Sequence, residues 1–171
     1  PIGSWRSHDH GERLIVQRVQ LALDEAEMAG FRLKGIKLTD AMGWATPRSV
    51  ERLIGAIRNK WPELEIALHL HDTRGTGQAA AYAGLRMGVT RFDASIAGLG
   101  GCPFAATDGA AGNICTEDFA FMCEAMGVET GLDIDRLIEV ARLAEEVVGR
   151  PLPGHVMRGG TLTAAKQRAN A

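Results

Sequence analysis

Apolar and polar positions along this chain mark out helices and short strands that take turns. Over residues 12–30, Ile15, Val19, Ala22, Leu23 and Ala26 recur at spacings of three and four and stop at Gly30, the pattern of an amphipathic helix closed by glycine. Residues 34–40, KGIKLTD, are short and alternate around Ile36 and Leu38, which predicts a strand ending on Asp40. Next comes a helix with Thr46 as N-cap, Pro47 at its first position, and Val50, Leu53, Ile54 and Ile57 on one face. The cycle then repeats: strand 65–72 (EIALHLHD), helix 77–87 closed by Gly88, and strand 90–98 (TRFDASIAG). A helix over 116–127 follows a glycine-rich segment, and a last amphipathic helix runs from Asp133 as N-cap to Gly149. From Pro151 onward, glycine, proline and small polar residues predict an irregular, mobile tail, so residues 1–150 read as the domain and 151–171 as an appendage.

Strands alternating with helices of this length mean βαβ units, a parallel sheet and right-handed crossovers: an α/β fold. In such sheets chemistry gathers at the carboxyl ends of the strands. Here those ends are polar: Asp40, then His69, His71 and Asp72, then Asp93 and Ser95. Three strands do not close an eight-stranded barrel, which takes roughly 250 residues.

Composition narrows the partners. A net charge of −2 over 171 residues, with acidic and basic side chains interleaved, leaves no electrostatic footprint for nucleic acid or an anionic membrane. No apolar stretch approaches the ~20 residues that span a bilayer, and the first residues, PIGSWRSHDHGER, are polar. The expectation is a soluble, cytoplasmic protein. Three cysteines without a CxxC pair fit reduced thiols, with Cys123 a small buried hydrophobe.

The candidate chemistry sits on few residues. His69 and His71 share one side of their strand, so two imidazoles can reach one metal ion; they can equally be hydrogen-bonded core histidines. Cys102 lies among Gly98, Gly100, Gly101, Gly109 and Gly112, where a lid could carry a thiol for acid–base work. A phosphate cradle or a plain loop is the alternative, although the glycine order matches neither a P-loop nor GxGxxG. Asn113 offers a neutral oxygen to a hard divalent cation, or a turn or cap. Asp40 can be base, ligand or cap. Glu117 and Asp118 suit a helix start through the dipole.

In combination, HLHDTRG, RFDASIAGLGGCPFA, GNICTEDFAFMCEAMG and TGLDIDRLIEVARLAEEVVG resemble the 3-hydroxy-3-methylglutaryl-CoA lyase family of metal-dependent (β/α)8 barrels. The resemblance runs from about residue 34 to residue 149. It implies that this chain is the C-terminal portion of a TIM barrel, about three βα units plus a C-terminal helix. It further implies that His69, His71 and Asn113 ligate Mg2+ or Mn2+, that Cys102 is the lid thiol, and that Asp40, Cys102 and His69 serve catalysis. The implied reaction, a step of leucine catabolism, cleaves an acyl-CoA thioester to acetyl-CoA and a 3-oxo acid such as acetoacetate. In the family, an earlier strand supplies an aspartate ligand and an adjacent arginine, and no segment here matches it. The expected partners are therefore an acyl-CoA substrate and either a second copy of the chain or a complementing N-terminal barrel segment. Without that segment, the apolar faces of Ile36, Leu68 and Ile96 should be left uncovered. Two other functions fit the same residues: a truncated, non-catalytic interaction module, and a Claisen-type synthase or aldolase of the same superfamily.

Overall fold

The computed structural model describes residues 10–101 and 110–161. Helix α1 (His10–Met28) leads into strand β1 (Gly35–Asp40), helix α2 (Pro47–Lys60), strand β2 (Glu65–Leu70), helix α3 (Gly77–Arg86) and strand β3 (Arg91–Asp93). The strands form one parallel sheet in the order β1-β2-β3. Helices α4 (Thr116–Ala125), α5 (Ile134–Val148) and the short α6 (Val156–Gly159) follow. Among the described residues, no helix is long and apolar enough to cross a membrane.

Local sequence accounts for the element ends. Thr46 caps α2 through the amide of Ser49, while the Ser49 hydroxyl accepts from the Thr46 amide, a reciprocal capping box reinforced by Pro47. Asp133 caps α5 by accepting from the Arg136 amide, and Gly149 closes that helix in the left-handed conformation.

One face of the sheet is dry. Ile36, Leu38, Ile66, Leu68 and Leu70 pack with Val50, Leu53, Ile54 and Ile57 of α2 and the alanines of α3 into the main core, joined by Ile15 and Val19 of α1. The uncovered apolar face expected at Ile36 and Leu68 is therefore absent: Leu68 is 0% exposed, and Ile96 packs into a second, smaller cluster with α5 and the tail. What lies open is the opposite face, which is polar: Lys37, Glu65, Arg91 and Asp93 line a depression or pair across it, as Lys37–Asp93 and Arg91–Glu65.

The third strand is shorter than its sequence predicts. Instead of continuing to residue 98, the chain bends after Asp93, and Ile96–Gly98 forms a 3-10 turn in which Ala97 takes φ 52° and Gly98 φ 69°. A left-handed pair cannot extend a strand. Buried Glu117 accepts the Ala97 amide at 3.0 Å. The Cys115 thiol sits beside that carboxylate, and burial, followed by Glu117, pushes its pKa far up, so it stays protonated.

The tail also departs from its expected irregularity. Leu152 and Met157 are buried in the second cluster. Asp118 accepts from the amides of His155 and Val156. Glu145 accepts the Leu152 amide, and Arg142 donates to the Met157 carbonyl. Residues 150–161 are thus tied down by side chains of α4 and α5, while 162–171 lie outside the described residues.

Two outcomes check this packing. A Cβ at Gly77 would come 2.7 Å from the His71 carbonyl oxygen and 2.9 Å from the Asp72 Cα. Gly77→Ala should therefore cost about 1–3 kcal/mol through overpacking, measured as a lower urea midpoint at constant m-value; an unchanged midpoint would contradict the close approach. Cys115 and Cys123, both buried with thiol pKa values raised, should resist a disulfide reagent at about pH 8 in the folded chain and react once it is unfolded. Peptide mass mapping reads both residues separately, and rapid native labelling of Cys115 would refute the sealed environment.

Candidate functional site

The site is built where β2 runs out. Beyond Leu70 the backbone keeps its extended direction and is met by residues 112–114: the Asp72 amide donates to the Gly112 carbonyl, and the Ile114 amide to the Leu70 carbonyl. His71 and Asn113 thereby face each other as an antiparallel bridge. The same segment continues onto Ser95, whose amide donates to the Ile114 carbonyl and whose carbonyl accepts the Thr116 amide. The two stems of the glycine-rich loop are thus fastened to the sheet. Gly100 and Gly112 stand so close that a Cβ at Gly112 would fall 1.7 Å from the Gly100 carbonyl oxygen, so neither stem could approach the other with a side chain in that place.

His69 and His71 do converge. Their Nε2 atoms are 3.3 Å apart, with ring planes tilted by 56°. Asp93, the cross-strand partner of His69, receives its Nδ1 at 3.1 Å and the Lys37 ammonium at 2.6 Å on one oxygen, Oδ2. Lys37 first, and His69 as well, hold the Asp93 carboxyl below its ordinary pKa, so it is an acceptor. Its histidine partner must then carry a proton on Nδ1, so the nitrogen of His69 left to meet a ligand is Nε2. His71 is 5% exposed. Burial and then the neighbouring His69 lower its pKa, against an opposing pull from Asp40, which favours the neutral, metal-competent imidazole.

Asn113 completes the group. Its Nδ2 donates to the Leu99 carbonyl at 2.8 Å, fixing the amide, while its Oδ1 is buried with no hydrogen-bond partner. A buried acceptor left unpaired is costly unless something binds it. Two imidazole nitrogens and one amide oxygen suit a divalent cation and could hold one.

Asp40 is 1% exposed, and its Oδ2 accepts the Ala45 amide at 2.6 Å. That bond braces the β1–α2 loop and is not a helix cap, since Thr46 caps α2, and Asp40 Oδ1 has no hydrogen-bond partner among the described residues. Asp72 orients the turn beyond His71 by accepting the Gly77 amide at 2.6 Å. Burial raises its pKa despite that bond. At the rim, the Arg74 guanidinium lies 3.9 Å over the Trp44 ring and donates to the Met42 carbonyl, joining the loops after β1 and β2. Cys102 lies outside the described residues.

Cys115, Glu117 and Asp118 also cluster closely enough to suggest a metal site. Most of their atoms are otherwise engaged: Glu117 Oε2 holds the Ala97 amide, Asp118 holds the tail, and the thiol is protonated beside the Glu117 carboxylate, whose Oε1 has no other hydrogen-bond partner among the described residues. The cluster is a brace. Sequence reasoning missed its purpose, as it missed Lys37 and the role of Asp93; strand parity places Lys37, His69 and Asp93 on one face, but only the register brings them together.

A model of the HMGL-like family matches residues 13–144. Hydroxymethylglutaryl-CoA lyase YngG of Bacillus subtilis is 43% identical over 123 residues, covering 72% of this chain and 40% of that protein. (R)-citramalyl-CoA lyase of Chloroflexus aurantiacus is 42% identical, covering 73% and 39%. The chain therefore spans about two fifths of the length of these relatives. Among solved structures, an HMG-CoA lyase from Acinetobacter baumannii, in complex with coenzyme A and 3-methylmalate, superposes with a TM-score of 0.73 at 38% identity, covering 86% of this chain and 47% of that one. The strands, the two-histidine strand end and the glycine-rich segment all fall within residues 13–144, and the chain belongs to the HMGL-like family.

Proposed function

We propose that this chain carries the metal-binding half-site of a carbon–carbon lyase that splits a 3-hydroxy-3-methylglutaryl-CoA-like thioester into acetyl-CoA and acetoacetate. The observation that carries this reading is the convergence of the His69 and His71 Nε2 atoms, 3.3 Å apart, beside the unpartnered Oδ1 of Asn113. A relative of this family bound to coenzyme A supports an acyl-CoA substrate. The partial sheet is read as part of a (β/α)8 barrel whose remaining strands supply the missing carboxylate ligand and arginine, from a complementing segment or a second copy. The open polar sheet face and the exposed apolar side chains of α5, Val140, Leu143 and Val147, are the surfaces left for it to cover.

His69, His71 and Asn113 would hold the ion. When bound, Mg2+ or Mn2+ supplies Lewis-acid polarisation of the substrate oxygens. His69 and His71 contribute as neutral donors, and Asn113 as an oxygen fixed by its bond to Leu99. Asp40 and Cys102 are assigned the proton movements. One takes the proton of the C3 hydroxyl as the C2–C3 bond breaks, and the other returns a proton to C2 of the departing acetyl-CoA enolate. A cytoplasmic setting is part of the same proposal.

A second substrate is favoured by one observation, the nearly equal identity to a relative named for (R)-citramalyl-CoA. Both thioesters belong in the assay.

Titrating Mn2+ into the chain should give one binding event near 1:1 that disappears in the His69→Ala/His71→Ala double variant. Equal binding by both proteins, or none by either, would overturn the half-site, and the interaction-module reading would replace it. Lyase activity, assayed with an added N-terminal barrel segment of a relative, should fall by at least about 100-fold in Cys102→Ala. Unchanged cleavage in that variant would contradict the role assigned to Cys102, and a condensation activity that survives the substitution would point to a synthase or aldolase instead.

A further inference from the structure

We propose that Lys37 and Asp93 are a positioning pair for this site: Lys37 anchors the Asp93 carboxylate, and Asp93 locks His69 with its proton on Nδ1 and its Nε2 lone pair toward His71. The proposal rests on the reading of His69 as a metal donor and names two further residues that set that donor.

Three strands contribute one side chain each. In register, Lys37 of β1 lies beside Ala67 of β2, and His69 of β2 lies directly beside Asp93 of β3. All three side chains rise from the open face, opposite the core-facing Leu38, Leu68 and Leu70. To reach Asp93, the Lys37 stem must pass over β2, two strand spacings of about 4.8 Å. The residue it passes is Ala67, whose methyl leaves that path clear. At the far end, a single oxygen, Oδ2, accepts both the Lys37 ammonium at 2.6 Å and His69 Nδ1 at 3.1 Å.

Stability does not explain the arrangement. The Lys37 and Asp93 side chains are 51% and 40% exposed, and a surface ion pair of that kind contributes little. What the arrangement fixes is the histidine. A ring nitrogen bonded to a carboxylate is the donor, so the opposite nitrogen is the ligand and the ring plane is set. His71 has no such device: its Nδ1 has no hydrogen-bond partner among the described residues. Asp93 therefore orders the one imidazole of the pair that local burial leaves more free, since His69 is 27% exposed and His71 5%.

The test uses the full chain with 15N-labelled histidine. Without metal, long-range proton–nitrogen spectra should show His69 as the Nδ1–H tautomer in the wild type and displaced toward Nε2–H in Asp93→Ala. Mn2+ affinity should fall about 10–100-fold in Asp93→Ala and roughly threefold or more in Lys37→Met. Circular dichroism establishes that each variant is folded, and if Asp93→Ala is not, Lys37→Met decides the matter. The proposal is overturned if His69 keeps Nδ1–H in the folded alanine variant, or if Mn2+ affinity in the folded variants stays within about twofold of wild type. A wild-type chain that takes up no Mn2+ would defeat the metal reading, while the tautomer measurement, made without metal, would still decide the positioning role.

Discussion

The pairing of residues 112–114 with the end of β2 is the constraint on which the site depends. Two backbone hydrogen bonds, from Asp72 to Gly112 and from Ile114 to Leu70, bring a residue more than 40 positions away in sequence to the side of His71. Without that pairing, the histidines would be a feature of one strand and Asn113 a loop residue. With it, Asn113 is bridged to His71, whose Nε2 lies 3.3 Å from that of His69, and both stems of the glycine-rich segment start from fixed points. The close approach of Gly100 to Gly112 and the bond from Asn113 to the Leu99 carbonyl hold the neck of that segment together.

A second layer of polar contacts keeps the neck where the sheet needs it. Glu117 is buried at the start of α4, where the helix dipole favours a carboxylate. It spends one oxygen on the amide of Ala97, a residue held in a left-handed conformation that only a fully determined environment sustains. Asp118, next to it, holds residues 155 and 156, and Pro153 packs against Gly98. The C-terminal segment is thereby a support for the loop's base. Polar groups are placed here where an apolar core would do for stability alone, which fits a segment whose geometry matters more than its rigidity.

Much of this was legible in the sequence. Periodicity located α1, α2 and α5, because their apolar faces carry Ile, Leu and Val at helical spacing, whereas α3, whose buried face is alanine and glycine, was marked by its closing Gly88; strand alternation put His69 and His71 on one side. Three features were not legible, for physical reasons. The strand expected to reach residue 98 stops at Asp93, because the backbone of Ser95 pairs with 114 and 116 and the left-handed turn at Ala97 has no signature in alanine. The tail looked irregular because its order comes from distant side chains, Asp118, Arg142 and Glu145, rather than from its own composition. Lys37 was not singled out, since nothing local indicates that β3 sits one strand beyond β2 with Asp93 in reach. In each case the deciding partner is distant in the sequence, so the contact follows from how the elements are arranged and not from the local pattern.

The central claim, that the ends of β2 and of the loop stem form one divalent-cation site, is tested most directly by crystals of the chain grown with Mn2+ and measured for anomalous scattering. The account predicts a single strong peak within about 2.1–2.3 Å of His69 Nε2, His71 Nε2 and Asn113 Oδ1. A peak at Cys115, Glu117 and Asp118 instead, or a His69–His71 contact left intact with no peak beside it at saturating Mn2+, would contradict it.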